Sequence, residues 1–417
     1  MKKIIIRGKK ELKGEISVSG AKNSALALVP ASILAKDKVT IENVPNISDI
    51  DSLSEILDNL GAKVRRGNST LEIDTSKVKK LVISEDISKK LRASYYFMGA
   101  LLGRYREVEM YFPGGCSIGS RPIDLHLKGF EALGAKIKED GNKYTISAKK
   151  LKGNEIYLDF PSVGATINIM FAAVMAEGET VIENAAKEPE ISNVATFLNN
   201  MGAKITGAGT AEIRITGVKE LKGCNTEVIP DRIEAGTYVV LSAMVGKNVK
   251  VKDLIPRHLD SLLIKLFELG YDVDDEVDSI TVKKSKVERP VIVRTQVYPG
   301  FPTDLQQPIT PLLMMIKGTS ELEETIYENR FQHVPYLIDM GGKIRVKGQT
   351  IKITGPTKFK GTTVRATDLR AGACLVLAAL FADGTTVIED AQHILRGYEN
   401  IVEKLQNIGA DIKIEEV

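Results

Sequence analysis

Residues 165–176, Ala-Thr-Ile-Asn-Ile-Met-Phe-Ala-Ala-Val-Met-Ala, form the stretch that decides the fold of this chain. Apolar residues occupy every side of a helix drawn over these positions, and no charged residue interrupts them. A helix that is apolar all round must be buried on every side. The stretch therefore predicts a central helix that the rest of the chain surrounds.

A segment of this kind opens each of six sequence repeats, which have a period of about 70 residues. After the apolar helix we expect a short strand, an amphipathic helix and a two-stranded hairpin. In the third repeat, Val194, Phe197 and Leu198 have the spacing of one helix face. A Gly-Ala-Lys-like triplet ends each amphipathic helix, beginning at Gly61, Gly134, Gly202, Gly270, Gly342 and Gly409.

The length of the repeat predicts the domain organisation. A unit of about 70 residues is too small to bury such a helix alone, so repeats must cluster. Three repeats per cluster give domains of roughly 200 residues, which is near the usual domain size. We therefore predict two three-repeat domains that divide near residue 229.

The composition excludes several classes of protein. With 43% hydrophobic and 27% charged residues, the chain is typical of a globular protein. The longest uncharged apolar run, residues 371–382, is too short to cross a bilayer, and the N-terminal segment has no apolar signal region, so we expect a cytoplasmic protein. A net charge of +3 with mixed signs predicts no nucleic-acid partner and suits an anionic small substrate.

The cysteines and histidines give no sign of a metal or disulfide site. The three cysteines are scattered, and Cys224 and Cys374 are predicted to be packing residues. The four histidines follow no metal-ligand spacing, so metal catalysis is not expected. They are His126, His258, His333 and His393.

Residues 113–122, Pro-Gly-Gly-Cys-Ser-Ile-Gly-Ser-Arg-Pro, predict a loop because glycine and proline interrupt helices and strands. The loop contains Cys116, and Arg121 follows five residues later. A nearby guanidinium favours the thiolate form of a cysteine. On these residues alone, Cys116 is either a reactive thiol or a small buried residue in a glycine-rich turn.

Polar residues stand at or just before the starts of the predicted apolar helices. Asp, Ser and Asn are common helix caps, so capping alone could explain Ser162 and Asp368. Basic residues are not caps, and a positive charge at a helix N-terminus costs about 0.3–1 kcal/mol, which favours a bound anion there. The residues are Lys22, Asn23, Arg92, Ser162, Asp231, Arg232, Asp304, Asp368 and Arg370.

The loop and several other motifs together resemble one family of enzymes. Residues 113–126 resemble the active-site loop of UDP-N-acetylglucosamine enolpyruvyltransferases, also called 1-carboxyvinyltransferases. Further motifs follow in that family's order over essentially the whole chain. They are Gly-Ala-Lys-Asn-Ser at 20–24, Phe-Pro-Thr-Asp at 301–304, Glu-Asn-Arg-Phe at 328–331, Ala-Thr-Asp-Leu-Arg at 366–370 and Arg-Gly-Tyr-Glu at 396–399.

The resemblance implies an α/β fold, a two-domain inside-out α/β barrel of six βαβαββ-like repeats. It assigns residues 22–229 to an N-terminal domain, and residues 1–21 and 230–417 to a C-terminal domain. The parallel central helices would then direct their N-termini at an active site in the cleft between the domains.

The activity that the resemblance implies is an addition and elimination without a cofactor or an obligate protein partner. The 3′-hydroxyl of UDP-N-acetylglucosamine adds to C2 of phosphoenolpyruvate, C3 takes a proton, and phosphate leaves. This reaction is the first committed step of peptidoglycan precursor synthesis. The implied phosphoenolpyruvate-binding residues are Lys22, Asn23, Arg121, Arg330, Arg370 and Arg396, of which Arg330 and Arg370 would bind the carboxylate and Lys22, Arg121 and Arg396 the phosphate.

The resemblance also implies the catalytic and sugar-nucleotide residues. Asp304 would be the base and Cys116 the acid, with Lys22 and Arg396 also in the catalytic set, while Glu328 and Asp368 are competing carboxylates. A carboxylate is ionised and a thiol mostly protonated at neutral pH, which suits these opposite roles. The implied UDP-N-acetylglucosamine site consists of Asn23, Arg92, Arg121, Pro122, Ile123, Asp124, Leu125, Phe160, Pro161, Ser162, Val163, Asp304 and Ile326.

Three other functions are compatible with parts of the pattern. The sister transferase that acts on shikimate 3-phosphate shares the implied fold but lacks the cysteine loop. A binding protein without catalysis would have no need of the intact catalytic set. An RNA-end-processing relative built from similar repeats would be expected to carry more positive charge.

The cysteine loop generates a first prediction. Fosfomycin, the epoxide that attacks this family's active-site thiol, should alkylate Cys116 and neither Cys224 nor Cys374, as read by peptide mass spectrometry. Cys116→Ser should lower activity roughly 100- to 10,000-fold, as expected for a lost general acid. Cys116→Asp keeps a proton donor, so it should lose less and resist the epoxide. Labelling at another cysteine with Cys116 untouched would contradict the assignment.

Overall fold

The computed structural model describes residues 2–111, 123–284 and 287–416, with the backbone alone for residues 89, 90 and 92. The described chain forms two compact units. Among the described residues, the first unit contains residues 20–111 and 123–229, and the second contains residues 2–19, 230–284 and 287–416. The domain bounds predicted from the sequence assigned residues 20 and 21 to the second unit, whereas the structure has them in the first.

The chain begins with two strands of the second unit, β1 (Lys2–Arg7) and β2 (Gly14–Ser17), and then enters the first unit. The first repeat contains α1 (Lys22–Ala31), β3 (Val39–Glu42), α2 (Ser48–Leu60), β4 (Lys63–Arg66) and β5 (Leu71–Asp74). The second contains β6 (Val82–Ile83), α3 (Glu85–Lys90), α4 (Tyr96–Tyr105), β7 (Glu107–Tyr111), α5 (Asp124–Ala132), β8 (Lys136–Asp140) and β9 (Lys143–Ser147). The third contains β10 (Glu155–Tyr157), α6 (Val163–Ala173), β11 (Glu179–Glu183), α7 (Pro189–Asn200), β12 (Lys204–Thr206) and β13 (Glu212–Thr216), and β14 (Asn225–Glu227) ends the unit.

The second unit repeats the same plan three times. Its first repeat contains β2, which is described above, followed by α8 (Arg232–Val245), β15 (Val249–Lys252), α9 (Asp260–Leu269), β16 (Tyr271–Asp275) and β17 (Ser279–Lys284). The next contains β18 (Ile292–Arg294), α10 (Thr303–Met315), β19 (Gly318–Glu323), α11 (Val334–Asp339), β20 (Lys343–Lys347) and β21 (Thr350–Gly355). The last contains β22 (Thr363–Arg365), α12 (Leu369–Leu380), β23 (Thr385–Glu389), α13 (Gln392–Leu395), α14 (Ile401–Asn407) and β24 (Asp411–Glu416).

Each repeat forms one four-stranded sheet with the same topology. In the order β10-β11-β13-β12, the first pair is parallel and the other two pairs are antiparallel. The sheets β14-β3-β5-β4 and β22-β23-β1-β24 follow the same rule, but each takes one strand from a distant part of its unit. The prediction of an α/β fold with six βαβαββ repeats is therefore confirmed.

The apolar helices lie at the centre of each unit. Every residue of α6 except Val163 is buried, and α8, α10 and α12 are buried almost as completely. The helices α4 and α6 pack so closely that a Cβ on Gly99 would lie 2.3 Å from the carbonyl oxygen of Asn168. The helix predicted over residues 165–176 instead begins at Val163 and ends at Ala173.

The repeated glycines end the amphipathic helices in a left-handed backbone conformation, where residues with a Cβ are strained. The φ angles are +101° at Gly61 and +105° at Gly202. In the fifth repeat this position is Gly341, with φ +102°, rather than the predicted Gly342. None of the helices described is long and apolar enough to span a membrane.

Candidate active site

Part of the predicted site lies outside the residues that the structure describes. Cys116, Arg121 and Pro122 belong to this group, as does the side chain of Arg92. The remaining predicted residues divide between the two units, and each unit is described separately.

In the first unit, Lys22 is the first residue of α1 and is paired with a carboxylate that no sequence motif indicated. Its ammonium lies 2.8 Å from Oδ2 of Asp49, which is itself buried on α2. Because the side chain of Lys22 is only 12% exposed, this ion pair holds its charge in a defined place. Asn23 follows on the same helix.

Two predicted sugar-nucleotide segments lead into helices. Asp124 is the first residue of α5, preceded by Ile123 and followed by Leu125. Ser162 is the N-cap of α6, where its hydroxyl accepts a hydrogen bond from the backbone N–H of Ala165 at 3.3 Å. The other residues of the second segment are Phe160, which is exposed, Pro161 and Val163.

A buried amide joins these two helices. Oδ1 of Asn168 on α6 accepts from the backbone N–H of Gly99, so its Nδ2 must face Nδ1 of His126, 2.9 Å away on α5. The neutral ring of His126 therefore carries its proton on Nε2. Asn168 could not be singled out from the sequence, because a lone asparagine in an apolar helix carries no functional pattern, and His126 was considered only as a possible metal ligand and as part of the loop motif.

In the second unit, Asp304 lies between two arginines. Its Oδ1 accepts from Nη2 of Arg330 at 2.6 Å, and its Oδ2 accepts from Nη2 of Arg370 at 3.2 Å. The guanidinium of Arg370 also lies over the ring of Tyr398, with Cζ 5.3 Å from the ring centroid. Sequence separations of 26 and 66 residues gave no means of predicting these pairs.

Both guanidiniums are buried and charged. Burial opposes the charge of Arg330, but Asp304 raises the pKa of Arg330 above its ordinary value. Burial likewise opposes the charge of Arg370, and Tyr398 and Asp304 raise the pKa of Arg370. Nε of Arg330 and Nη1 of Arg370 are buried donors without a hydrogen-bond partner among the described residues. These donors are suited to bind an anion with two oxygen atoms.

The two competing carboxylates have other surroundings. Asp368 is the N-cap of α12, where its Oδ1 accepts from the backbone N–H groups of Arg370 and Ala371 at 2.9 and 3.0 Å. Glu328 is exposed. Asp304 is thus the carboxylate that contacts both buried arginines.

The remaining predicted residues of the second unit stand at element ends. Arg396 directly follows α13 and is partly buried. The backbone N–H of Ile326 donates to the carboxylate of Glu324 at 2.8 Å. Asp231 is the N-cap of α8, and Arg232 follows it with its guanidinium over the ring of Tyr298. Among the described residues, no group of three His, Cys, Asp or Glu side chains could hold a metal ion.

The described residues form an α/β protein of two triplicated units, and the second unit contains a buried cluster of two arginines around Asp304. A family model described as EPSP synthase (3-phosphoshikimate 1-carboxyvinyltransferase) matches residues 6–405. The chain belongs to this family of enolpyruvyl transferases, and the resemblance found in the sequence motifs is confirmed.

Relatives with assigned names match the chain over almost its full length. The UDP-N-acetylglucosamine 1-carboxyvinyltransferase 2 of Listeria monocytogenes is 54% identical over 98% of this chain and 97% of its own. The UDP-N-acetylglucosamine 1-carboxyvinyltransferase 1 of Streptococcus agalactiae is 53% identical over the whole of both chains. The UDP-N-acetylglucosamine 1-carboxyvinyltransferase 2 of Bacillus subtilis is 52% identical over 99% of this chain and 96% of its own.

Solved structures agree with this placement. The enolpyruvyl transferase NikO from Streptomyces tendae is similar with a TM-score of 0.89 and 26% identity, covering 100% of this chain and 99% of its own. EPSP synthase from Acinetobacter baumannii shares the fold, with a TM-score of 0.76 and 18% identity over the whole of both chains.

A buried histidine beside the cluster generates a prediction about pH. Burial, reinforced by Arg330 and opposed by Asp368, lowers the pKa of His333 to about 4. The unfolded chain therefore binds this proton more tightly, so stability is lost as the pH falls below about 6.5 toward 4. Between pH 7 and pH 5 the loss should be about 2 kcal/mol.

Urea unfolding at the two pH values tests this account. His333→Gln should reduce the difference in unfolding free energy between pH 7 and pH 5 by about 2 kcal/mol, because glutamine does not titrate. The other titrating groups are common to both proteins and cancel in the comparison. An unchanged difference would show that His333 is protonated as easily in the folded protein as in the unfolded chain.

Proposed function

We propose that this protein transfers the enolpyruvyl group of phosphoenolpyruvate to the 3′-hydroxyl of UDP-N-acetylglucosamine and releases phosphate. The observation that carries the proposal is the 52–54% identity, over nearly the full length, with enzymes named UDP-N-acetylglucosamine 1-carboxyvinyltransferase. The similarity to EPSP synthase structures, at 18–19% identity, concerns the fold alone.

In this proposal Arg330 and Arg370 bind the carboxylate of phosphoenolpyruvate. The support is their burial, their charge and the two donors that have no partner in the described part of the chain, because a planar guanidinium can bind a carboxylate through two parallel hydrogen bonds. Asp304 is the base for the sugar hydroxyl. Its contacts with both arginines would hold the base next to the bound carboxylate.

The phosphate group is assigned to Lys22, Arg121 and Arg396, with Asn23 beside Lys22. The support for Lys22 is its ion pair with Asp49, which fixes the ammonium at the beginning of α1, where the positive end of the helix dipole also favours an anion. Cys116 is assigned as the acid that protonates C3. This division of roles needs only proton transfer and charge stabilisation, so we propose that the reaction uses no cofactor.

The sugar nucleotide is assigned to the residues that the family resemblance implies. Phe160 supports this assignment, because an aromatic ring that is 46% exposed offers an apolar surface to a ligand. We propose that the protein works in the cytoplasm, where phosphoenolpyruvate is made, without an obligate protein partner. The assigned residues are Asn23, Arg92, Arg121, Pro122, Ile123, Asp124, Leu125, Phe160, Pro161, Ser162, Val163, Asp304 and Ile326.

Phosphate release tests the proposed function directly. The purified protein should release phosphate from phosphoenolpyruvate with UDP-N-acetylglucosamine and not with shikimate 3-phosphate. The reverse preference would identify the sister activity. No release with either acceptor would contradict a role in enolpyruvyl transfer.

Substitution of the carboxylates tests the assignment of the base. Asp304→Asn keeps the shape of the side chain but removes its basicity, so kcat should fall about 100-fold or more while UDP-N-acetylglucosamine still binds. Asp368→Asn is the matched control, because asparagine is an equally good helix cap. Its effect should be confined chiefly to weaker use of phosphoenolpyruvate through Arg370. If Asp304→Asn raised only KM for the sugar nucleotide, its role would be binding, and the base would have to be sought elsewhere.

A further inference from the structure

Glu324 is a buried carboxylate that neither the sequence motifs nor the proposed chemistry uses. It directly follows β19 and is 1% exposed. Its Oε1 accepts from the hydroxyl of Thr295 at 3.0 Å and from the backbone N–H groups of Ile326 and Tyr327 at 2.8 and 3.2 Å. These three bonds shape the turn after the strand.

The other carboxylate oxygen faces the active-site residues. Oε2 of Glu324 accepts from the hydroxyl of Thr303 at 2.8 Å, and the oxygen of that hydroxyl accepts from Nη1 of Arg330 at 2.6 Å. A hydroxyl has one hydrogen, and a carboxylate can only accept. Glu324 therefore fixes the direction of the Thr303 hydroxyl and leaves its lone pairs for the arginine.

Arg330 is held at two points as a result. Nη1 donates to Thr303, and Nη2 donates to Asp304 at 2.6 Å. Because a guanidinium is planar and rigid, two fixed nitrogens also fix the direction of the third, Nε, which has no hydrogen-bond partner within the residues described. Glu324, Arg330, Asp304 and Arg370 thus form a row of alternating charges.

We propose that Glu324 is a positioning residue that acts through Thr303 to orient Arg330 and, with it, the Asp304 carboxylate. The inference rests on the proposed function, in which Arg330 binds the carboxylate of phosphoenolpyruvate and Asp304 is the base. The order of contacts is Glu324, Thr303, Arg330 and Asp304. Glu324 and Thr303 need no contact with either substrate.

The two oxygens of Glu324 allow a matched experiment. Thr295 and Thr303 both donate to the same carboxylate, but Thr303 contacts Arg330, whereas Thr295 accepts from the backbone N–H of Thr325 at 2.8 Å. Thr303→Val and Thr295→Val each replace a hydroxyl by a methyl group of similar size. Each variant therefore removes the threonine donor to one carboxylate oxygen of Glu324. A purely structural role of Glu324 predicts that both variants lose stability and keep similar kinetics.

The proposed role predicts different kinetics for the two variants. In Thr303→Val, kcat/KM for phosphoenolpyruvate should fall about 100-fold, as expected when a binding group is misplaced by about 1 Å. The acid limb of its pH–rate profile should move to higher pH, because a looser guanidinium partner lets Asp304 take up a proton more readily. Thr303→Ser keeps the hydroxyl and should restore both. Thr295→Val should lower Tm while kcat/KM stays within about threefold and the acid limb is unchanged.

The kinetics are measured as phosphate release from phosphoenolpyruvate and UDP-N-acetylglucosamine over a range of pH values. Tm is measured on every variant. A wild-type level of kcat/KM in Thr303→Val, or equal losses in the two valine variants, overturns the role of Glu324 and leaves the proposed function standing. Absence of phosphate release from the unmodified protein overturns the proposed function and this inference with it.

Discussion

A helix that is apolar on every side has to be surrounded, and this constraint shapes the whole chain. Each unit solves it three times, with a four-stranded sheet and an amphipathic helix for every apolar helix. Close packing between such helices needs small residues, and Gly99 and Gly103 bring α4 within contact of the backbone of α6. The sheets and amphipathic helices then provide the solvent-exposed surface that the apolar helices cannot.

The same constraint determines where polar groups can stand. A buried helix has polar backbone N–H groups at its N-terminus that need partners, and Ser162, Asp231 and Asp368 supply them as side-chain caps. Lys22 and Arg370 occupy the same kind of position without capping, and each contacts a carboxylate from another element. The buried ends of the helices thus combine backbone donors with fixed side-chain charges.

The repeats and the helix types could be predicted from sequence because periodicity is local. The start of the Gly-Ala-Lys-like triplet in the fifth repeat was misplaced by one residue, since Gly341 and Gly342 are adjacent and the sequence does not show which of them adopts the positive φ. Residues that depend on distant partners could not be predicted from spacing. Asp49 belongs to this class, because an aspartate near the start of an amphipathic helix is typical of a surface residue.

Glu324 is another residue whose surroundings could not be predicted from the sequence. A glutamate after a strand of alternating residues would be expected to be solvated, yet its carboxylate is buried and satisfied by four donors. Glu324 is informative because the row of alternating charges begins there, and that row forms only when the end of β19, the segment of Arg330, α10 and α12 have come together. Motif similarity named Asp304, Arg330 and Arg370 as candidate site residues, but it did not indicate that they contact one another or what holds them in place.

The contacts of Asp304 lower its basicity, so the proposed reaction needs a way to raise it again. A carboxylate that accepts from two guanidiniums is a weak base, because proton uptake would cost it two charge-assisted hydrogen bonds. In the proposed reaction, phosphoenolpyruvate brings a second carboxylate to the same arginines, and repulsion between the two negative charges would raise the basicity of Asp304 when the acceptor hydroxyl needs it. An arginine that turned freely could satisfy either carboxylate at the expense of the other. The fixed orientation of Arg330, with one nitrogen on Thr303, one on Asp304 and the third directed elsewhere, lets one guanidinium serve both.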